Sequence, residues 1–335
     1  MAVLYVTHDA CLDHNAGGHH PECPERLTAI RDGMVRAGLE EALVEVTARE
    51  ATRDEVTTVH SPAYFDALER FCRAGGGALD ADTPVTGGSW EAALRAAGAG
   101  LDAAERLRAG EATAAFCAVR PPGHHALARQ GMGFCMFNNI AVCAGSLAAA
   151  GERVLIVDWD AHHGNGTQAS FYDDDRVGFV SLHQFPLYPM SGRLEETGQG
   201  RGHGLTANLP MPPGATGEHY LRAVDEVVAP MSERLAPTWV LISAGFDGHR
   251  ADPLCGLGLS AGDFGLLATR VQELAPAARC IAFLEGGYDL HALAASAASC
   301  VASLAGERWM PEPPTSGGPG ADIVELARRH RARTT

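Results

Sequence analysis

RVLIVDWDAHHGNG, residues 153–166, carries an uninterrupted apolar run, Val154–Val157, straight into Asp158, Asp160 and His162. Apolar runs of this kind, without alternation, suit a strand buried on both faces of a parallel sheet. Side chains at i, i+2 and i+4 of an extended segment project to one side. Asp158, Asp160 and His162 therefore share a side at a strand's carboxyl end, where open α/β sheets bind their ligands. Carboxylates with an imidazole suit zinc and other borderline cations better than magnesium. A capped strand end with hydrogen-bonded acids is the plainer alternative, but two Asp and two His within residues 158–163 argue against it.

Working outward, seven further runs read as strands: 2–7, 43–47, 113–119, 177–182, 205–209, 239–244 and 280–285. Ala-rich stretches that read as helices lie between them, near 24–38, 52–72, 89–109, 138–150, 217–235, 260–276 and 289–304. The alternation predicts one doubly wound α/β domain over 1–308, an eight-stranded parallel β-sheet with helices on both faces. Residues 309–335 read as a Pro/Gly-rich, mobile connector followed by a short surface helix or tail.

Four other loops follow strands and carry unusual polar residues. WVLISAGFDGHRADP (239–253) places Asp247 after a buried strand. A lone Asp there usually caps a turn, but with Asp160 and His162 it completes a three-ligand set that leaves a position for water or substrate. CAVRPPGHHALARQGMGFC (117–135) puts His124 and His125 in a stiff loop. A single loop histidine is commonly structural; a pair after a buried strand points to a general base and acid. Gly133 and Phe134 nearby read as lining of an apolar tunnel. CIAFLEGGYDL (280–290) uses Gly286 and Gly287 to let the backbone approach a ligand, and presents Tyr288, a phenol suited to hydrogen-bond an oxyanion. In VGFVSLHQF (177–185), Ser181 and the Leu182 carbonyl offer oxygens that could join Asp158 around a monovalent cation.

Composition sets the outer limits. The chain has 335 residues and a formal charge of −15, from 41 acids against 26 bases. This balance disfavours nucleic acid and anionic lipid as partners. There is no lysine, so all 26 basic residues are Arg, which excludes Schiff-base and pyridoxal chemistry and the P-loop lysine. Nine cysteines without a CxxC pair predict reduced, mostly buried thiols. With neither a signal-like N-terminus nor a membrane-length apolar run, the expectation is a cytoplasmic protein that does not engage membranes.

The segments HPECPERL (20–27), RPPGHHA (120–126), GFCMFNN (133–139), DWDAHHGNGTQ (158–168), SLHQF (181–185), SAGFDGHRADPL (243–254) and EGGYDL (285–290) together resemble the histone deacetylase family. The likeness is to its class II branch and to bacterial deacetylases and acetylpolyamine amidohydrolases, and runs in one order over nearly all of 1–308. It implies the arginase/deacetylase fold, with one catalytic Zn²⁺ on Asp160, His162 and Asp247. His124 and His125 become the tandem catalytic histidines, and Tyr288 the carbonyl-polarising residue. Asp158 partners His124 and joins the Asp160 and His162 carbonyls, Ser181 and Leu182 in a structural K⁺ site. Asn165, behind His125, is the class II choice where class I members carry Asp. Arg26 resembles the arginine of the acetate exit, and Phe134 and Tyr188 the aromatic tunnel walls, although family members usually carry Phe at the second.

The implied reaction is hydrolysis of an acyl-lysine amide in a peptide or protein. Acetylated polyamine is the alternative substrate. Polyamine-selective relatives place a Glu directly after Asp-Pro, where this chain has Leu254. The arginase branch needs a second Asp two residues after the His and an Asp-x-Asp later. This chain has Gly164 and Asp247-Gly248-His249, which favours one metal over two. A non-catalytic ligand-binding relative would be expected to lack a metal ligand or Tyr288; every such position is filled.

Overall fold

The computed structural model describes residues 1–334. Eight parallel strands form one sheet: β1 (Val3–Thr7), β2 (Leu43–Thr47), β3 (Ala114–Cys117), β4 (Val154–Asp158), β5 (Val177–Gln184), β6 (Thr206–Met211), β7 (Trp239–Ala244) and β8 (Cys280–Leu284). Their order is β2-β1-β3-β8-β7-β4-β5-β6. These are the eight runs expected from sequence. The central ones are buried along their whole length, as unbroken apolar runs require when helices cover both faces. The four central neighbours, β3, β8, β7 and β4, are the strands that lead into the histidine pair, Tyr288, Asp247 and the Asp158–His162 string. Sheet order thus converges on one crevice four loops that are scattered in sequence.

Three expectations change. The stretch 52–72 is two helices, Arg53–Val56 and Pro62–Arg73, because a residue before proline is driven out of the helical region; Ser61 sits at φ −69°, ψ 140° and caps the second helix. The helical run from Gly217 to Leu235 contains a π turn, Val224–Val228, just before Pro230, which has no N–H to close the regular ladder. The Pro/Gly-rich connector is held by hydrogen bonds rather than free, and the helix Ala321–Thr334 packs with Val324 buried. Turn-forming residues left the backbone groups of this connector available, and side chains such as Ser260, Asp263 and Glu218 took them up.

The N-terminal segment is locked to the crevice by a buried ion cluster. Glu22, Arg26 and Arg120 have no exposed surface. The Arg120 guanidinium grips the Glu22 carboxylate with two nitrogens and donates to the Cys11 carbonyl at 2.7 Å. Arg26 donates to Glu22 at 3.1 Å, to the Gly287 carbonyl at 2.7 Å and to the Glu285 carbonyl at 2.5 Å. Burial alone would raise the Glu22 carboxyl, but Arg120 and His14 outweigh it and hold the group well below the usual carboxylate range.

Removing one partner from such a cluster leaves uncompensated charge and typically costs about 3–5 kcal/mol. Glu22→Leu is therefore expected to lower urea-unfolding stability at pH 7 by that order. Because the folded-state value is depressed, wild-type stabilisation is full above the unfolded carboxylate's value of about 4.3 and is lost as pH falls below it. The gap between the two proteins should narrow in acid; equal midpoints at pH 7 would contradict the assignment.

Candidate active site

Asp160, His162 and Asp247 meet at the carboxyl ends of β4 and β7, with their ligand-type atoms all within 4.8 Å of one another. His162 Nδ1 lies 2.8 Å from Asp247 Oδ2 and 3.2 Å from Asp160 Oδ1. Backbone N–H groups aim the carboxylates: Gly286 donates to Asp160 Oδ2 at 2.7 Å, His162 to Asp160 Oδ1 at 2.8 Å, and Ala161 to Asp247 Oδ1 at 2.8 Å. Burial opposes a charge on His162, yet the two carboxylates prevail and lift it to about 10. Asp247 is pushed up to about 7 by burial and by the neighbouring Asp160. Two buried carboxylates converging on one imidazole nitrogen make a field that favours a cation, and the set of two oxygens and one nitrogen fits a borderline divalent ion.

The paired histidines sit in different surroundings. His124 Nδ1 lies 3.0 Å from Asp158 Oδ2 and is nearly inaccessible. Burial would lower it, but Asp160, Asp158 and Glu285 raise it to about 10. His125 Nδ1 lies 2.8 Å from Asn165 Oδ1, while Asn165 Nδ2 points to the His125 carbonyl at 3.4 Å. With the amide oxygen facing the ring, His125 carries its proton on Nδ1 and leaves Nε2 as an acceptor. Burial and the adjacent imidazoles of His124 and His162 push His125 well below the ordinary range.

A cavity of about 240 Å³ opens onto this group, lined by His125, His162, Gly133, Phe134, Tyr188, Leu254 and Tyr288 together with Asp82 and Leu187. The Phe134 and Tyr288 rings meet edge to face at 5.8 Å, and Tyr188 does the same with His125 at 5.2 Å. The sequence-derived residues Arg26, Gly286 and Gly287 stand behind this wall. Arg26 lies 5.0 Å from the Tyr288 ring centroid and is bonded to the Glu285 and Gly287 carbonyls. Gly286 is required by close approach, though to carboxylates: a Cβ there would lie 2.5 Å from Asp247 Oδ2 and 2.7 Å from Asp160 Oδ2. Ser181 pairs in register with Asp158. Its Oγ lies 2.8 Å from His183 Nδ1, and the Leu182 carbonyl accepts from Tyr220 at 3.3 Å.

Four further residues at or beside the site escaped sequence reasoning. Glu285 Oε2 accepts from the Gly123 and His124 N–H groups at 2.7 and 3.1 Å, fixing the histidine loop. Asp252 Oδ2 accepts from Tyr288 N at 2.7 Å, fixing the phenol's backbone. Asp82 and Leu187 reach the cavity from loops with no motif. Glu285 and Asp252 do lie inside the quoted motifs, and an acid opening a Gly-Gly loop was the one available hint.

These features define an α/β protein with a candidate metal site beside a histidine pair and a phenol, and comparison with known proteins narrows it. The Histone deacetylase domain model matches residues 20–304, most of the chain, which therefore belongs to the histone deacetylase family. It is 39% identical over 328 residues to a protein of Archaeoglobus fulgidus named "Probable deacetylase", covering 93% of this chain and 91% of the relative. It is 36% identical over 305 residues to "Histone deacetylase-like amidohydrolase" of Pseudomonas aeruginosa, covering 84% and 80%. The crystal structure of the HDA15 HD domain superposes with a TM-score of 0.91 at 34% identity, over 99% of this chain and 96% of that one. The chain is a hydrolase of the deacetylase and amidohydrolase type with the fold that the resemblance implied.

Substituting Gly286 with Ala should push both carboxylates apart. Disturbing the groups that orient metal ligands typically costs about 10–100-fold in metal affinity. Zinc competition against a chromogenic chelator should show a loss of that order in Gly286→Ala; an unchanged affinity would separate this loop from the triad.

Proposed function

We propose that the protein is a zinc-dependent deacylase of acyl-lysine, using Asp160, His162 and Asp247 to hold one Zn²⁺. The observation that carries this reading is the buried triad beside His125 and Tyr288 on one cavity. When bound, a zinc-type ion supplies Lewis acidity that polarises an acyl carbonyl and makes a water acidic enough to lose a proton near neutrality. His125, with its Nδ1 proton fixed by Asn165, accepts that proton at Nε2 and returns it to the departing amine. His124, donating to Asp158, sets the local field. Tyr288 donates its phenolic hydrogen to the developing oxyanion. The cavity walls of Phe134, Tyr188 and Leu254 suit an unbranched aliphatic stem. We further propose a K⁺ site on Asp158, Ser181, and the Asp160, His162 and Leu182 carbonyls, supported by the register that sets Ser181 opposite Asp158.

A binuclear site is disfavoured sterically. A Cβ at Gly164 would overlap the Asp158 carboxylate, and His249, at the second required position, pairs with Glu312 at 2.8 Å. An acetylated polyamine is the second reading, favoured by Asp82 on the cavity wall, which could meet a distal ammonium.

Comparing kcat/KM for an acetyl-lysine peptide with that for acetylspermidine, on zinc-loaded protein, tests the assignment. A higher value for the peptide is expected; preference for acetylspermidine selects the polyamine reading, and inertness to both removes the function. Loss of one oxyanion donor costs about 3–4 kcal/mol of transition-state stabilisation. Tyr288→Phe should accordingly cut turnover by roughly two to three orders of magnitude with zinc retained, and near-wild-type turnover would take Tyr288 out of the mechanism.

A further inference from the structure

The matched family domain ends at residue 304, yet a segment beyond it bonds the turn that follows Asp247. Residues 312–318 form a strap across the starts of two helices, Gly217–Ala223 and Ala261–Gln272. Thr315 bonds Asp263 Oδ2 at 2.7 Å and the Gly217 N–H at 2.9 Å, and Ser260 donates to the Pro313 carbonyl at 2.8 Å. Gly262 is the seat of the strap: a Cβ there would overlap the Glu312 carbonyl oxygen.

Glu312 is the strap's link to the site. Its Oε2 accepts from His249 Nε2 at 2.8 Å and from the Ala261 N–H at 3.0 Å, and its Oε1 lies 3.2 Å from Arg250 Nη2. His249 Nδ1 accepts from the Ala251 N–H at 3.1 Å, so Nε2 carries the proton that Glu312 receives. The His249 carbonyl accepts from the Asp252 N–H at 2.8 Å. Asp252 in turn receives Tyr288 N at 2.7 Å and Leu254 N at 3.0 Å. One continuous chain of bonds thus runs from the strap through the 247–254 turn to the backbone of the phenol, and the same turn begins with Asp247.

We propose that Glu312 is a positioning residue for the active site, fixing through His249 the placement of Asp247 and Tyr288. The proposal rests on the zinc hydrolase reading above. Its role is to hold the turn in the geometry that the ligand and the phenol need, at one remove from the groups that touch them.

The test compares Glu312→Ala, Glu312→Gln and Thr315→Val in the full chain. Partners that orient metal ligands are typically worth about 10–100-fold, and a residue one step further out should fall near tenfold. Glu312→Ala should weaken zinc affinity and lower kcat by about that factor with KM little changed. Amide hydrogen exchange across 247–254, measured on zinc-free protein, should speed up. Glu312→Gln keeps an oxygen for the His249 Nε2–H and should restore all three readouts. Thr315→Val loosens the same strap away from His249; it should lower Tm while leaving zinc affinity and 247–254 exchange unchanged. If Glu312→Ala does not fold, Glu312→Asp, which shortens the reach to His249, carries the same expectations. Glu312→Ala behaving like Thr315→Val, or Glu312→Gln as impaired as Glu312→Ala, would overturn the proposal. If wild-type protein bound no zinc the hydrolase reading would fall, while the exchange measurement would still decide the positioning claim.

Discussion

Two buried carboxylates share one imidazole nitrogen, and most of the molecule is arranged to make that tolerable. Asp160 and Asp247 have no exposed surface, and their charges are aimed at a single point by N–H groups from Ala161, His162 and Gly286. Burying like charges together is unfavourable unless a cation offsets them. Folding therefore leaves a site with a strong demand for positive charge, and the histidine pair and the phenol stand around the spot where a cation would answer it.

The scaffold meets this demand through rigid, central elements. The strands that feed the site are neighbours in mid-sheet, where both faces are covered and local opening is costly. The Gly286–Gly287 loop, which must pass close to both carboxylates, is held from below by Arg26, which pairs with the Glu22 carboxylate that Arg120 also grips. The histidine loop is held by Glu285, and the Asp247 turn by Asp252 and the strap. Each mobile-looking loop is thereby tied by a charged side chain to a partner elsewhere along the chain, which gives the site a fixed geometry.

The strands were legible because each is an unbroken apolar run of ordinary strand length, and their chemistry-bearing ends were legible because ligand-type residues are rare straight after such runs. The triad, His124, His125 and Tyr288 lie together where this pattern indicated, and Asn165 and Tyr188, named from the family resemblance, lie beside them. What escaped was non-local. Glu285 looks like the polar end of a strand, and its partner Gly123 lies 162 residues away. Asp252 looks like a turn cap, and the acceptor role toward Tyr288 appears only once β7 and β8 are neighbours. The connector after 310 reads as mobile because proline and glycine prevent regular structure there; regular structure and order are separate properties, and side-chain hydrogen bonds supply the second without the first. Arg26 was legible as part of a motif, while its contact with the carbonyls beneath Tyr288 was not.

The claim beneath the rest is that this chain binds a single divalent ion through two aspartates and one histidine. The direct measurement is metal content per chain, by inductively coupled plasma mass spectrometry after zinc loading and removal of free ion. One zinc per chain is expected in the wild type, and its loss in Asp247→Asn. Two ions per chain, none, or an unchanged content in that variant would contradict it.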